Sequence, residues 1–542
     1  MRNIKILDCT LRDGGRLINC AFPDEHIRGI TEGLCASGVD IIEMGFLRGN
    51  VDYNGDSTFF TEIDQFRKFI PENRGNSMFV GFCDYGKEFG MWDFSKLPEC
   101  DGSSVTGLRI GFRKKDMYNA VPILNLVKEK GYTLFIQGVE SLSYSDREML
   151  DLIALVNEVK PYSFGIVDTY GAMYPDDVSH LYNLVDHNMD PDIAIDFHSH
   201  NNLQLSFAFA QQIVAASRGV RKVILDASLE GMGKGIGNLN TELIMDFLIR
   251  KHAYPYDIDV LFDTIDRYLA NIKSEHSWGY QIPYFMAGIL SSHANNIIYL
   301  TEKHRLDTKD IKNILSLMDP VARKRYNYDD MEKLYIEYSS CKIDDSGALA
   351  EIKKICSDRP VLVMVPGSSI SREKEKLEAY IEKEKPIVIA VNYVPEKQYD
   401  DLYCFFGNKR KYEQLKGMTT ARCIVTSNIP ASSDDVLVVN YCNLIQTGVK
   451  FFDNSAVMLL KLLVSLGVGN IVVAGFDGFD DNGRNFANVQ DEDIRFAKDF
   501  NQLNKDITWL LRCIKSSLPA DSRITFLTGG RFAAIFSEAA KE

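Results

Sequence analysis

The sequence predicts an α/β protein: a closed (β/α)8 (TIM) barrel, a helical appendage, and a second α/β domain with a mostly parallel sheet. Three observations carry that prediction. Eight short β-rich runs recur at roughly thirty-residue spacing in the first half of the chain, each followed by a helix-like pattern. The β signal then stops, and from Ile258 to about Tyr338 only helical periodicity remains. Beyond an Asp- and Gly-containing linker at 341–347, buried-type strands resume.

In order, the expected barrel strands are 4–9, 41–46, 78–83, 107–112, 133–139, 163–168, 193–198 and 222–227. Helix-like segments such as 23–36, 117–130, 146–159 and 176–187 separate them. An open doubly wound sheet shows the same alternation, but a count of eight favours closure. The barrel is expected over 1–256 and the appendage over 257–340, with helical patterns at 258–273, 283–303 and 308–316. In the domain expected over 341–542, strands fall at 361–365, 387–391, 436–439, 471–474 and 524–527, with a long helix at 491–517.

At 542 residues the chain exceeds one compact core, so two or three domains are expected. A net charge of −14 disfavours a nucleic-acid polymer as partner. Lys409, Arg410 and Lys411 read as a solvated loop cluster. The opening MRNIKILDCTLRDGG lacks a signal-type apolar region, and no 18-residue apolar run would span a membrane. The eleven cysteines have neither C-x-x-C nor zinc spacing, so reduced thiols and a cytoplasmic location are expected. Cys9, just before the first sharp turn, is the thiol to watch.

The chemistry centres on IAIDFHSHNNLQLSFAFA, residues 193–210. His198 and His200 are two apart at a strand end, so both imidazoles can face one ion. The plainer alternative is two loop histidines. In α/β barrels that strand end is where chemistry is placed. Thr10–Gly15 reads TLRDGG, and its glycines make a turn that can aim Arg12 and Asp13 into the mouth. Asp13 would complete a two-histidine, one-carboxylate metal site. Such ligands suit Mn²⁺ or Mg²⁺, and ligand type also admits Zn²⁺ or Fe²⁺. Arg12 would stabilise an oxyanion or hold a carboxylate, unless it only forms a structural salt bridge with Asp13.

TLRDG, H-x-H-N-N and DASLEGMGKGIGN, after the first, seventh and eighth expected strands, together resemble the metal-dependent aldolase/Claisen group of TIM barrels. That HMG-CoA lyase-like group includes 4-hydroxy-2-oxovalerate aldolase and the isopropylmalate synthases. The likeness is strongest to the 4-hydroxy-2-oxovalerate aldolases. HSHNNLQLSFA, DASLEGMGKGIGN and VDTYGAM at 167–173 are similar to theirs, and the likeness covers about residues 1–340. The resemblance implies a divalent metal on Asp13, His198 and His200, chelating a 2-oxo acid such as pyruvate and making its enolate accessible. It implies Arg12 against the enolate oxygen, Thr169 on the substrate carboxylate, and Glu43 near the site, where a structural partner is the alternative. Two departures stand out. Arg16 replaces the family's catalytic histidine. Leu290 falls where the family has a tyrosine, with Tyr280 and Tyr284 nearby. The proton relay must then use another group or a metal-bound water.

The expected site is therefore catalytic Arg12, Glu43 and Arg16; substrate-binding Arg12, Thr169, His198 and Asn238; and metal-binding Asp13, His198 and His200. Gly231, Gly233, Gly235 and Gly237 are spaced like a dinucleotide fingerprint but follow the last barrel strand and lack the distal acidic residue. A tight loop fits better, with Asn238 touching the ion or bracing the loop.

In the second domain, Ser368 and Ser369 could hold a phosphate or cap a helix. Asp477, Asp480 and Asp481 could bind sugar hydroxyls or a metal, or simply be solvated. This domain faintly resembles Rossmann-like domains of surface-polysaccharide enzymes, which implies a nucleotide or nucleotide sugar as ligand.

The leading expectation is a metal-dependent aldolase, a carbon–carbon lyase whose partners are a 2-oxo acid and an aldehyde, set in surface-polysaccharide sugar synthesis. A homo-oligomer is expected. One rival is a barrel that has lost catalysis and serves as scaffold or sensor for a glycosyltransferase-like second domain. Another is an acyl-CoA-using Claisen-type lyase or synthase, weakened because GMGKGIGN has no catalytic cysteine. A metal hydrolase or iron oxygenase using the same three ligands is a further rival, against which counts that H-x-H barrel hydrolases usually carry that pair on the first strand.

Overall fold

A computed structural model describes residues 3–304, 306–340, 342–431, 435–480, 485–486 and 499–537. Two compact units divide the chain: Met1–Ile297 with Met318–Tyr326, and Ile298–Leu317 with Asn327–Glu542.

The first unit is built on β1 (Ile4–Asp8), β2 (Ile41–Leu47), β3 (Phe59–Phe60), β4 (Met78–Asp84), β5 (Gly107–Phe112), β6 (Thr133–Gly138), β7 (Ser163–Asp168), β8 (Ala194–Ser199) and β9 (Val223–Ala227). All pairings are parallel. β1 bonds to β9 on one side and β2 on the other, which closes an eight-stranded barrel. The two-residue β3 lies outside that ring, paired only to β2. His198 thus sits on β8, the seventh strand of the ring, and His200 directly follows its end.

These strands are buried on both faces, so they read as near-continuous apolar runs. The helices between them bury one stripe each. Asp146–Val159 buries Met149, Leu152, Ile153 and Val156, and a capping box between Ser145 and Glu148 starts it. The alternation fails twice. Between β2 and β4 there is no α-helix, only a 3₁₀ helix, Ile63–Phe69, because Pro71 and Gly75 follow it too soon for more turns, and between β4 and β5 there are only the 3₁₀ turns Lys87–Phe89 and Phe94–Lys96.

The helical segment breaks where its sequence allows. Ile258–Tyr268 is followed by Ala270–Glu275, and Ile282–Ile289 by Ala294–His304, with Ser291 between the latter two at φ 47°. Contacts divide this segment: Ile282–Ile289 and 318–326 belong to the first unit, Thr308–Leu317 and Tyr328–Ser339 to the second.

The second unit holds an all-parallel sheet of β10 (Val361–Met364), β11 (Ile387–Val391), β12 (Leu402–Phe406), β13 (Arg422–Thr426), β14 (Leu437–Val439), β15 (Asn470–Ala474) and β16 (Arg523–Phe526). Its order, β14-β13-β12-β11-β10-β15-β16, reverses between β10 and β15. β12 and β13 were not anticipated. Phe500–Ser516 buries Leu503, Ile507, Leu510 and Ile514; the expected start of this helix at 491–498 lies outside the described residues.

Lys409, Arg410 and Lys411 do not lie on a loop. They open the helix Lys409–Leu415, which Asn408 caps, and Lys409 pairs with Asp310 at 3.2 Å. Among the described residues the cysteines are free, and no helix is long and apolar enough to cross a membrane.

Candidate metal centre and active-site cavity

The turn after β1 is wound around one oxygen. The Cys9 carbonyl accepts the N–H groups of Arg12, Asp13 and Gly14 at 3.1, 2.8 and 3.1 Å. Thr10 Oγ1 accepts the Leu229 N–H at 2.8 Å, tying the turn to the loop after β9. Gly14 and Gly15 are needed for room. A Cβ on Gly14 would lie 3.2 Å from the Met232 carbonyl, and one on Gly15 3.0 Å from the Phe22 ring. The Cys9 thiol is fully buried, and burial holds its pKa well above the ordinary value.

The turn brings Asp13 to His198 and His200 at the end of β8. One ligand atom from each lies within 4.8 Å of the others, and the two imidazole centroids are 5.0 Å apart. His198 Nδ1 bonds Asp226 Oδ2 at 2.9 Å, which leaves its Nε2 for an ion. Burial lowers the His200 pKa to about 4 despite the opposing Asp13, with His198, Arg12 and Arg16 adding to the depression, so the ring is neutral at pH 7. Burial alone would raise the Asp13 pKa. Arg12, then the two imidazoles and Arg16, outweigh it and hold the carboxylate ionised. Asp13 Oδ1 takes Arg12 at 2.7 Å and Arg16 at 3.3 Å. Asp13 Oδ2 is buried and accepts no hydrogen bond among the described residues, with His200 Nδ1 3.9 Å away. An ionised oxygen with open lone pairs beside the neutral His200 ring and His198 Nε2 is a donor set that a divalent cation fits.

Beneath this centre lies a charged floor. Arg12 Nε donates to Glu43 Oε2 at 2.6 Å, and Arg109 reaches Glu43 at 3.3 Å, Asp196 at 2.9 Å and Asp226 at 2.5 Å. Gln137 adds a bond to Asp196 at 2.8 Å. Arg109, Glu43 and Asp196 are fully buried. Asp13, Arg12, Glu43, Arg109, Asp226 and His198 therefore form one chain of ion pairs and hydrogen bonds. Glu43 does not line the cavity; it anchors Arg12 from below. Sequence reasoning missed Arg109, Asp196, Asp226 and Gln137. The available signal was a lone charge in the middle of an apolar strand, which must find a partner when buried.

Above the floor a cavity of about 640 Å³ opens, lined by Arg12, Asp13, His198 and His200. Thr169 lines it, and its hydroxyl accepts the Glu140 N–H at 2.9 Å, so the hydroxyl proton is left to donate. Arg16 lines it over the Phe46 ring, 4.6 Å from the centroid. Asn238 is not on the wall. Its Nδ2 donates to Met232 O at 3.1 Å and its backbone bridges His200, so it braces the loop. Gly237, at φ 85°, is what lets that loop close: a Cβ there would lie 1.9 Å from the Gly231 carbonyl.

Tyr284 lines the cavity against Gly235, whereas Leu290 does not and Tyr280 is exposed. The wall also includes Tyr170 and Lys234, which lie within VDTYGAM and GMGKGIGN but were not singled out, and His293 and Tyr326, which lie outside those motifs.

In the second unit, Ser368 and Ser369 neither cap nor stand open. Ser369 N donates to Asp477 Oδ2 at 2.7 Å, Ser369 Oγ to Asp477 Oδ1, and Ser368 Oγ to Asp477 Oδ2 at 3.3 Å. The four-residue helix Ser369–Arg372 has no side-chain cap bond from Ser368. Asp477 and Asp480 border a crevice at the carboxyl ends of β10 and β15; Asp481 lies outside the described residues.

Fold and geometry define a class: a (β/α)8 barrel with a two-histidine, one-carboxylate cluster at the carboxyl end of its strands. Residues 113–266 match the HMGL-like family model, the group the motifs led us to expect. An oxaloacetate decarboxylase of Mycobacterium tuberculosis is 26% identical over 261 residues, 48% of this chain and 74% of that protein. A 4-hydroxy-2-oxovalerate aldolase of Bacillus cereus is 22% identical over 325 residues, 57% of this chain and 89% of that protein. Among solved structures, HMG-CoA lyase from Brucella melitensis is 13% identical and covers 51% of this chain and 100% of its own, with a TM-score of 0.42.

Proposed function

We propose that the barrel is a divalent-metal-dependent aldolase, a carbon–carbon lyase working through the enolate of pyruvate or a related 2-oxo acid. The observation that carries this reading is the buried Asp13 Oδ2, which accepts no hydrogen bond among the described residues and lies beside two imidazoles, one of them oriented by Asp226. A bound Mn²⁺ or Mg²⁺ would supply Lewis-acid polarisation of the keto group. Arg12, locked by Glu43 and Asp13, offers a preorganised guanidinium to the oxygen where charge develops. The Thr169 hydroxyl donates to the substrate carboxylate. Glu43 acts as a positioning residue through Arg12, and Arg16 stands at the wall where it can meet the substrate.

The names of two relatives support the nucleophile. Decarboxylating oxaloacetate and cleaving a 4-hydroxy-2-oxo acid both leave the enolate of pyruvate, and only the departing group differs. On this reading residues 1–256 carry catalysis. The crevice where the second sheet reverses its order is the kind of place where α/β sheets bind ligands, and it supports a nucleotide or nucleotide sugar there. A cytoplasmic enzyme of surface-polysaccharide sugar synthesis, assembled as a homo-oligomer, fits that pair of sites.

The test is exchange of the pyruvate methyl protons in D₂O, followed by NMR with Mn²⁺ or Mg²⁺ added or chelated. Metal-dependent exchange that disappears in Asp13→Asn supports the reading. Absence of exchange by metal-loaded protein, with no decarboxylation of oxaloacetate either, would overturn it.

A further inference from the structure

We infer that the acceptor aldehyde carries its own anionic group, a phosphate or a second carboxylate, held at the cavity rim by Lys234, Lys324 and Arg325. This rests on the aldolase reading and names the class of its second substrate.

The charge lining the cavity does not balance. Seven cationic side chains face three carboxylates. Four of the seven have carboxylate partners: Arg12 on Asp13 and Glu43, Arg16 on Asp13 and Asp84, Arg48 on Asp84, and Arg113 on Glu140. Lys234, Lys324 and Arg325 have none among the described residues. A 2-oxo acid brings one negative charge and would spend it at the metal end of the cavity. A divalent ion adds positive charge. The surplus at the rim therefore calls for a second anion.

The rim is built rather than incidental. Lys234 comes from the glycine loop after β9, whereas Lys324 and Arg325 come from a segment ninety residues away in sequence. Buried Asn296 fixes that segment, donating through Nδ2 to the carbonyls of Arg323 at 3.0 Å and Arg325 at 2.9 Å. The Tyr170 hydroxyl, itself on the wall, sits between two acceptors, the Glu140 carboxylate at 3.0 Å and the Lys324 carbonyl at 3.1 Å. Lys234 Nζ is steered by Asn295 Oδ1 at 2.6 Å, a neutral acceptor that leaves the ammonium charge uncompensated.

Two groups register the resulting field. Burial lowers the pKa of Lys234, and Arg16 lowers it further. Burial, then Lys234, Arg16 and Arg113, bring the His293 pKa down to about 4. His293 Nδ1 accepts the Asn295 N–H at 3.1 Å, so the neutral ring keeps its proton on Nε2. It is a hydrogen-bond donor on the wall, not a base. Three cations and a neutral donor suit phosphate or carboxylate oxygens. They offer nothing to an apolar aldehyde tail.

The experiment uses the full chain in two arms. In the first, condensation with pyruvate is compared for glyceraldehyde 3-phosphate, succinic semialdehyde and propionaldehyde. In the second, inorganic phosphate binding is read without turnover, by ³¹P line broadening on metal-free protein. Both are repeated with Lys234→Gln and with the Lys324→Gln/Arg325→Gln double variant.

One of the two anionic aldehydes should exceed propionaldehyde in kcat/KM by about 100-fold, and which one wins tells phosphate from carboxylate. Each variant should cut that preference, and phosphate affinity, by about 10-fold. Equal use of propionaldehyde, or phosphate binding indifferent to all three substitutions, would overturn the inference. Lost pyruvate exchange with phosphate binding still sensitive to the variants would instead sink the aldolase reading and leave the anion site standing.

Discussion

Asp13 and Asp477 each follow a parallel strand, β1 in the barrel and β15 in the second unit, yet their lone pairs are spent differently. Asp477 gives both oxygens to neutral donors, the Ser369 N–H and the hydroxyls of Ser368 and Ser369. Asp13 gives one oxygen to two guanidiniums and keeps the other buried, without a hydrogen bond among the described residues. The first arrangement is a brace that stitches two strand ends together. The second holds coordinating capacity in reserve, which only a ligand can repay. A carboxylate at a strand end is thus a weak sign of function until its hydrogen bonds are assigned.

Substitutions at matched places would sharpen or break this contrast. The largest effect is expected from Asp13→Asn: Mn²⁺ binding, read by titration calorimetry, should vanish, and pyruvate exchange should fall by about 10³-fold or more. Arg109→Met leaves buried Asp196 and Asp226 without their cation and Glu43 with Arg12 alone, and thermal unfolding should register a loss of about 3–5 kcal/mol.

Asp8, five residues before Asp13, offers a pH test. Burial raises its pKa to about 6 against hydrogen bonds from Thr241 and Thr10 that oppose the shift. Its contribution to stability is therefore complete below the ordinary value of 3.8 and is lost as pH rises through about 6. Relative to Asp8→Asn, the wild-type protein should lose about 3 kcal/mol over that window, seen as a pH-dependent difference in Tm.

Asp226→Asn removes the acceptor that fixes the His198 tautomer and should weaken Mn²⁺ binding by about 10- to 100-fold. Asp477→Asn is the control. It should cost about 1–2 kcal/mol of stability and leave Mn²⁺ affinity where it was; a shift in that affinity would break the contrast.

The barrel was legible because its strands are apolar runs separated by amphipathic helices, and the strand expected at 193–198 lies at Ala194–Ser199. The meeting of Asp13 with His198 and His200 was legible because residues two apart on a strand share a side and TLRDGG marks a turn. Elsewhere local signals failed. β12, LYCFF, has no β-branched residue, and β13, RCIVT, opens on a charge, so neither announced itself. The helix expected between β2 and β4 gave way to a 3₁₀ turn. Arg109 was passed over because one arginine inside GLRIGF has meaning only beside Asp196 and Asp226, which lie 87 and 117 residues further on. The rim depends on chain segments that no periodicity links.

The floor that runs from Asp13 through Arg12, Glu43 and Arg109 to Asp226 and His198 has a bearing on attempts to redesign this enzyme. Its members share partners, so paired substitutions there should be strongly epistatic, each change resetting the value of the next. Lys234, Lys324 and Arg325 share no partner with it, and changes among them should combine with floor mutations additively. On the proposed aldolase reading, a library for new acceptors can therefore vary the rim freely while inheriting the floor as a single unit.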